Sequence, residues 1–156
     1  MHFKSIRPYL LLLLCLIPLL FFPHSEQSLI AHDEGLYATR ARLMLDTGNW
    51  LHPWANPHHK TPGHYWMTAI SMSLFGVNET AVRLPSKLFS LASVWLLFAL
   101  GQKLLNQQAA LLASIILSCS FLWFQYSHLG GPDLPFITFS LFRVCSDYAR
   151  TDNNTG

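Results

Sequence analysis

The stretch AALLASIILSCSFLWFQY, residues 109–126, contains no Asp, Glu, Lys or Arg. A membrane-crossing helix needs about 20 predominantly apolar residues, so this stretch predicts a transmembrane span. Two further uncharged runs, Tyr9–Phe22 and Leu88–Leu100, have the same character. Over the 156 residues, 51% are hydrophobic and only 12% are charged, a balance that soluble domains seldom show. The sequence therefore predicts an all-α integral membrane protein.

We predict about four transmembrane helices in residues 1–150, which would form the N-terminal part of a transmembrane domain, followed by a polar tail, residues 151–156. The spans are expected near residues 6–23, 84–105, 109–126 and 134–150. The fourth is the weakest, because Arg143 interrupts it and has to snorkel or face a protein interior. Lys4 and Arg7 before the first run also fit a signal peptide, but no small-x-small cleavage pattern follows closely, which favours an uncleaved anchor.

The short connections set the predicted orientation, since Lys and Arg mark the cytoplasmic side. The residues placed inside by this rule are Lys4, Arg7, Lys103 and Arg150. The chain is thus expected to be a multi-pass protein of the cell (inner) membrane, with a cytoplasmic N-terminus and a long extracytoplasmic loop, residues 24–82. Basic residues in and beside this loop run against the rule and indicate an anionic ligand: Arg40, Arg42, Lys60, Arg83 and Lys87.

Two helices are predicted within the loop. Asp33 and Glu34 can cap and open the first, which is expected to run to about Asp46 and to stop at Gly48. This helix would place Asp33, Tyr37 and Arg40 on one face.

The second loop helix is predicted to begin with Thr61 as its N-cap and Pro62 at its first position, and to end at Gly76. Its aromatic and apolar residues suit a helix that lies along the membrane surface.

Charged residues near the starts of three predicted helices indicate a site that handles a phosphate group. Lys60 stands just before the second loop helix, where its ammonium group and unpaired helical N–H groups would form a phosphate site. Asp33 and Glu34 begin the first loop helix, and Asp133 caps the fourth span after a Gly-Gly-Pro turn. A carboxylate that can act as a base, together with the positive charge of Lys60 at the bilayer surface, is suited to transferring a group from a lipid phosphate. A net charge of +2 without a basic cluster argues against nucleic acid as a partner.

At these positions the chain resembles the GT-C glycosyltransferases, in particular the dolichyl-phosphate-mannose protein mannosyltransferase and aminoarabinose transferase group. The resemblance covers the N-terminal part of that family. It rests on four segments in order: HDEGLYATRARLMLDTGNWLHPW from residue 32, HHKTPGHYWMTAISMSLFG from residue 58, VRLPS from residue 82 and LGGPDLPF from residue 129.

The resemblance implies a role for each matching residue. Asp33 would be the catalytic carboxylate that deprotonates the acceptor or organises the site, and Glu34 would support it. Lys60 would neutralise the phosphate of a polyprenyl-phosphate sugar donor, and Asp133 matches a second acidic position. We also place Tyr37 and Arg40 among the substrate-binding residues.

The chain departs from the family pattern before Lys60, where His58 and His59 replace an acidic residue that many relatives carry. Adjacent histidines on a loop have no committed ligand geometry, so we predict neither a metal nor a cofactor. Asp33 and Asp133 also have a simpler interpretation as ordinary helix caps.

The leading hypothesis is an inverting, metal-independent glycosyltransferase that moves a sugar from a polyprenyl-phosphate donor to an unidentified lipid, glycan or protein acceptor at the outer membrane face. One alternative is an inactive truncated product or split subunit that needs a missing C-terminal half. Another is a non-enzymatic membrane protein, such as a transporter subunit or an assembly factor.

Overall fold

The computed structural model describes residues 7–21, 29, 34–51 and 62–155. These residues form seven helices and no strand, which confirms the all-α prediction for this part of the chain. The helices are α1 Arg7–Phe21, α2 Glu34–Thr47, α3 Gly63–Phe75, α4 Glu79–Leu104, α5 Gln107–Cys119, α6 Phe121–Ser127 and α7 Asp133–Thr155.

Glycines end both loop helices as predicted. Gly48 follows α2 with φ +67° and Gly76 follows α3 with φ +85°, a region that glycine adopts without a steric penalty. Helix α3 begins at Gly63, one residue later than expected, and the predicted cap Thr61 lies outside the described residues. Asn78 caps α4, where its side chain accepts a hydrogen bond from the Ala81 amide at 2.8 Å.

A proline inside α4 is compensated from α3. Pro85 has no N–H, so the carbonyl of Ala81 lacks the donor that a helix would normally provide. The hydroxyl of Ser71 donates to this carbonyl at 2.6 Å. The bond satisfies a buried acceptor and fixes α3 against the start of α4.

Among the described residues, α4 is the one helix that is both long and apolar enough to cross a membrane, and the α5–α6 pair meets the same test with a 64° bend between its halves. The predicted span at 84–105 therefore starts earlier, at Glu79. The predicted span at 109–126 is not one continuous helix, because Ser120 has extended backbone angles and separates α5 from α6.

The two outer spans also differ from expectation. Helix α1 has 15 residues within the predicted 6–23 segment, whereas α7 runs from Asp133 through the predicted polar tail to Thr155. Arg143 is exposed and pairs with Asp147 at 3.0 Å, so within the chain it does not face an interior.

Two apolar cores hold the helices together. The first, which we call the loop core, joins α2, α3 and the start of α4 around Tyr65, Met44 and Met72. The second, the bundle core, joins α1, α4, α5, α6 and α7 around Leu12, Phe98 and Leu134. Tyr65 and Met72 of α3 are thus buried in the loop core, while Ile70, Leu74 and Phe75 are exposed. Only this exposed side suits the predicted contact with a membrane surface.

Candidate functional site

A buried ion pair stands at the start of α2. Arg83 of α4 donates from Nε to Glu34 Oε1 at 2.7 Å and from a terminal nitrogen to Oε2 at 3.0 Å. Their side chains are 4% and 3% exposed. Burying two charges is costly unless both are paired and hydrogen-bonded, and this bidentate geometry meets that condition.

Gly130, in the turn before α7, joins this ion pair to α3. Its amide donates to Glu34 Oε1 at 2.9 Å, and its carbonyl lies 3.3 Å from His64 Nε2. One residue thus contacts the first turns of α2 and α3. We call Glu34, His64, Arg83 and Gly130 the Gly130 junction.

The junction requires glycine at position 130 because the backbone approaches its neighbours closely. A Cβ atom there would lie 2.8 Å from Val82 Cγ1 and 3.3 Å from the Glu34 side chain. At the next position, Gly131, the nearest atom is an ordinary 3.5 Å away. Glycine at 130 therefore allows the two hydrogen bonds of the junction to form.

Three helix N-termini meet at this junction. Helix α2 begins at Glu34, α3 begins at Gly63 beside His64, and α7 begins at Asp133, three residues after Gly130. Helix N-termini carry partial positive charge and unpaired N–H groups.

The structure changes the interpretation of two predicted residues. Glu34, which was expected to support Asp33, is 2% exposed, and both of its oxygens accept hydrogen bonds from Arg83, so its carboxylate is buried and fixed in place. Arg83 was counted among the basic residues that indicate an anionic ligand, but it lies inside the protein and binds Glu34. That part of the charge argument was wrong.

The other predicted residues of α2 face different surroundings. Tyr37 is 5% exposed and its ring packs edge-on against His64, with centroids 5.0 Å apart. Arg40 donates to the hydroxyl of Tyr65 at 3.0 Å. Arg42 is exposed and lies 3.6 Å from Asp46. Tyr37 thus lies inside the protein, and Arg40 reaches the surface beside it.

Asp133 is exposed at the start of α7, where it lines a cavity of about 400 Å³ together with His64. Burial lowers the pKa of His64 below its ordinary value, although the Gly130 hydrogen bond and the charge of Asp133 both act in the opposite direction. The imidazole is therefore neutral near pH 7. The structure therefore brings Asp133 and His64 to the same cavity, which the sequence did not predict.

Two of the predicted site residues, Asp33 and Lys60, lie outside the described residues, as do His52, His58 and His59. Within the described ranges, no group of three or more His, Cys, Asp or Glu side chains is arranged to hold a metal ion.

Sequence reasoning missed the roles of Arg83, Gly130 and His64. The segments VRLPS and LGGPDLPF were singled out by the resemblance, but partners 49 and 96 residues apart are not readable from spacing. The signal in the sequence is that Arg83 lies beside an apolar span. A charge without a partner at such a place costs free energy, so a partner for Arg83 is expected.

The described residues form a helical chain with one long apolar helix that could cross a membrane, and a buried ion pair lies where helices begin. Comparison with known families is more specific. The family described as dolichyl-phosphate-mannose-protein mannosyltransferase matches residues 59–153. This match covers more than half of the chain, which therefore belongs to that family of membrane glycosyltransferases.

Several curated proteins are similar to this chain. An undecaprenyl phosphate-alpha-4-amino-4-deoxy-L-arabinose arabinosyl transferase from Shewanella sediminis is 38% identical over 80% of the chain and 22% of its own length. One from Proteus mirabilis is 34% identical over 90% of the chain and 26% of its own length. An uncharacterized protein of Aquifex aeolicus is 30% identical over 87% of the chain and 29% of its own length. The chain thus spans less than a third of each of these relatives, and no solved structure matches it.

Proposed function

We propose that the chain binds a polyprenyl-phosphate-linked sugar at the Gly130 junction and takes part in transferring that sugar to an acceptor on the extracytoplasmic membrane face. The observation that carries this proposal is the double hydrogen bonding of Gly130, to Glu34 of α2 and to His64 of α3. The relatives from Shewanella sediminis and Proteus mirabilis are named as transferases of undecaprenyl phosphate aminoarabinose, which supports a donor of this class.

Covalent geometry connects the proposed reactive residues to this junction. Asp33 directly precedes Glu34, the first residue of α2, and Lys60 is three residues before Gly63, the first residue of α3. Asp133 follows Gly130 by three residues. Asp33, Lys60 and Asp133 are therefore each within three sequence positions of the first residue of one of these helices.

The proposed chemistry is a displacement at the anomeric carbon of the donor sugar. The acceptor nucleophile forms a bond to this carbon while its proton passes to the carboxylate of Asp33. The bond between the anomeric carbon and the phosphate oxygen breaks, and its electron pair leaves on the polyprenyl phosphate. Lys60 and the helix N-termini stabilise the charge that develops on the leaving phosphate. In this scheme Glu34 and Arg83 hold α2 in place and exchange no proton.

Binding of undecaprenyl phosphate to the full chain in lipid nanodiscs tests the phosphate site. Lys60→Ala is expected to weaken binding by at least about tenfold, because it removes a charge-assisted contact. Lys103→Ala, at the far end of α4, is the matched control and should bind as tightly as the wild type. Equal affinities for all three proteins would contradict the proposal.

The acid–base role is tested by release of undecaprenyl phosphate from a labelled undecaprenyl-phosphate aminoarabinose donor in membranes that contain the chain. Asp33→Asn is expected to reduce the release by about 100-fold or more while donor binding stays close to that of the wild type. Unchanged release would remove Asp33 from the mechanism.

A further inference from the structure

Helix α7 runs beside α4, the described helix that is long and apolar enough to cross a membrane. Near the start of α7, the Thr138 hydroxyl donates to the Phe89 carbonyl at 2.9 Å. Further along the helix, Cys145 Sγ lies 3.9 Å from the carbonyl oxygen of Leu96. Both α4 positions belong to its uncharged run Leu88–Leu100. The middle of α7 is therefore level with an apolar segment of the bundle.

An ion pair is exposed at this level of α7. Arg143 Nε donates to Asp147 Oδ2 at 3.0 Å, and the two side chains are 80% and 56% exposed. Cys145, which contacts α4, stands between them in the sequence. Because an α-helix has about 3.6 residues per turn, Arg143 and Asp147 lie on the side of α7 that faces away from α4.

Lipid hydrocarbon is an unfavourable environment for this ion pair. Arg143 lies about 15 Å along the helix from Asp133, which is half of the hydrocarbon thickness of about 30 Å. Charged side chains at such a depth are costly, and almost all of them face a protein interior or a water-filled cavity. The long Arg143 side chain can extend towards a membrane surface, but the short side chain of Asp147 cannot. This side of α7 therefore calls for a protein neighbour.

The exposed side of α7 is complementary to itself. We call its exposed residues Phe136, Ser140, Arg143 and Asp147 the α7 seam. Their spacing of four, three and four positions brings them to one line of contact in a parallel pair of helices. Two copies that insert in the same direction are related by a two-fold axis and hold these residues at the same depth. Each Arg143 then faces the Asp147 of the other helix, so that opposite charges alternate across the seam.

We propose that two copies of the chain associate in the membrane through the α7 seam, with Arg143 of each copy paired to Asp147 of the other. Ser140 is small enough to let the two backbones approach closely, and Phe136 adds apolar contact area. An identical copy supplies both charges at the matching depth, which is the observation that favours it over an unrelated partner. The inference does not depend on the proposed function, since neither sugar nor phosphate takes part in it.

Disulfide crosslinking tests the seam while the ion pair stays intact. Ser140→Cys and the matched control Ile116→Cys, at an exposed position of α5, are each introduced into a chain whose Cys15, Cys119 and Cys145 are changed to Ser. Liposomes with a high lipid-to-protein ratio are oxidised with copper phenanthroline. We expect Ser140→Cys to form covalent dimers at least about tenfold faster, because association raises the effective concentration of the two thiols. Equal rates for the two variants would overturn the proposal.

An exchange of charges tests the pairing between copies. Arg143→Asp and Asp147→Arg each give the seam two charges of the same sign, so each variant alone is expected to self-associate with a dissociation constant at least about tenfold higher than that of the wild type. An equimolar mixture of the two variants should associate again, because one seam is then acidic and the other is basic. The measurement is energy transfer between donor-labelled and acceptor-labelled copies in liposomes.

The control for the charge exchange is Arg42→Asp, which alters an exposed ion pair of α2 and should associate as tightly as the wild type. Recovery of energy transfer in the mixture would show that both seam variants are folded and that the charges pair between copies. The proposal is overturned if the wild-type chain is monomeric in liposomes. It is also overturned if each seam variant associates as tightly as the wild type, or if the mixture associates no better than either variant alone.

Discussion

The Gly130 junction and the bundle core are stabilised in different ways. The junction buries a charged pair and joins α2, α3, α4 and the turn before α7 through hydrogen bonds between residues 49 to 96 positions apart. The bundle core packs apolar side chains and uses small residues for close approach, as at Gly101, where a Cβ would lie 2.9 Å from the Ala110 side chain. The comparison shows that the buried ion pair lies where three helices begin, whereas the bundle is packed around apolar side chains and a close helix–helix approach.

The largest expected effect comes from breaking the ion pair of the junction. Arg83→Leu leaves the Glu34 carboxylate buried without its cation, and we expect the free energy of unfolding to fall by about 3–5 kcal/mol. The measurement is a denaturant titration of the purified chain in detergent micelles. Arg42→Leu, which removes an exposed pair with Asp46, is the matched control and should change the free energy by less than about 1 kcal/mol. Equal effects of the two substitutions would contradict the structural role of Arg83.

The next largest effect is expected at the close approach of Gly130. Gly130→Ala introduces a Cβ against Val82 and Glu34, and overpacking of this kind lowers the free energy of unfolding by about 1–3 kcal/mol. Gly131→Ala meets no atom closer than 3.5 Å and is the control in the same titration. If both variants are as stable as the wild type, the backbone at position 130 is less confined than we describe.

A pH dependence is expected from His64. Its pKa is lowered in the folded state, so below about pH 6.5 the unfolded chain binds more protons than the folded one. The stability contributed by the neutral imidazole is thus fully present above about pH 6.5, and it is lost as the pH falls towards the folded pKa, by at most about 1.4 kcal/mol per pH unit. Denaturant titrations at pH 7.5, 6.5 and 5.5 measure this loss. His64→Phe should flatten the profile, and a profile that is unchanged by this substitution would assign the dependence to other groups.

The smallest expected effect lies in the bundle. Ser93 of α4 and Thr138 of α7 share a hydrogen bond at 2.7 Å, and such bonds between helices contribute about 0.6 kcal/mol on average in a membrane environment. Ser93→Ala should therefore lower the free energy of unfolding far less than Arg83→Leu in the same assay. A loss as large as that of Arg83→Leu would abolish the distinction between the two regions.

Local signals predicted the loop helices well. The acidic start of α2, the stop at Gly48 and the stop at Gly76 depend on residues within a few positions of the helix end, and all three were confirmed. The identification of the family from the charged segments was confirmed as well.

Features that depend on distant or compensating contacts were not predictable. The break at Ser120 lies inside an uncharged stretch, where hydropathy is the same for a straight helix and a bent one. It is stabilised by the Ser120 hydroxyl, which donates to the Leu117 carbonyl at 3.0 Å and accepts from the Trp123 amide at 3.4 Å. The pairing of Arg83 with Glu34 is similarly invisible, because charge counting does not distinguish a ligand-binding Arg from one that is neutralised by a distant partner.

A distance measurement tests the central claim most directly, namely that the acidic and basic residues of the loop meet at the Gly130 junction. Nitroxide labels are attached after Asp33→Cys and Lys60→Cys in a chain whose Cys15, Cys119 and Cys145 are changed to Ser, and their separation is measured by pulsed electron spin resonance. A second pair, Asp33→Cys with Lys103→Cys, is the reference, because 20 residues of α4 between Arg83 and Lys103 correspond to about 30 Å. We predict that the first separation is less than half of the second. A first separation equal to or longer than the reference would contradict the account.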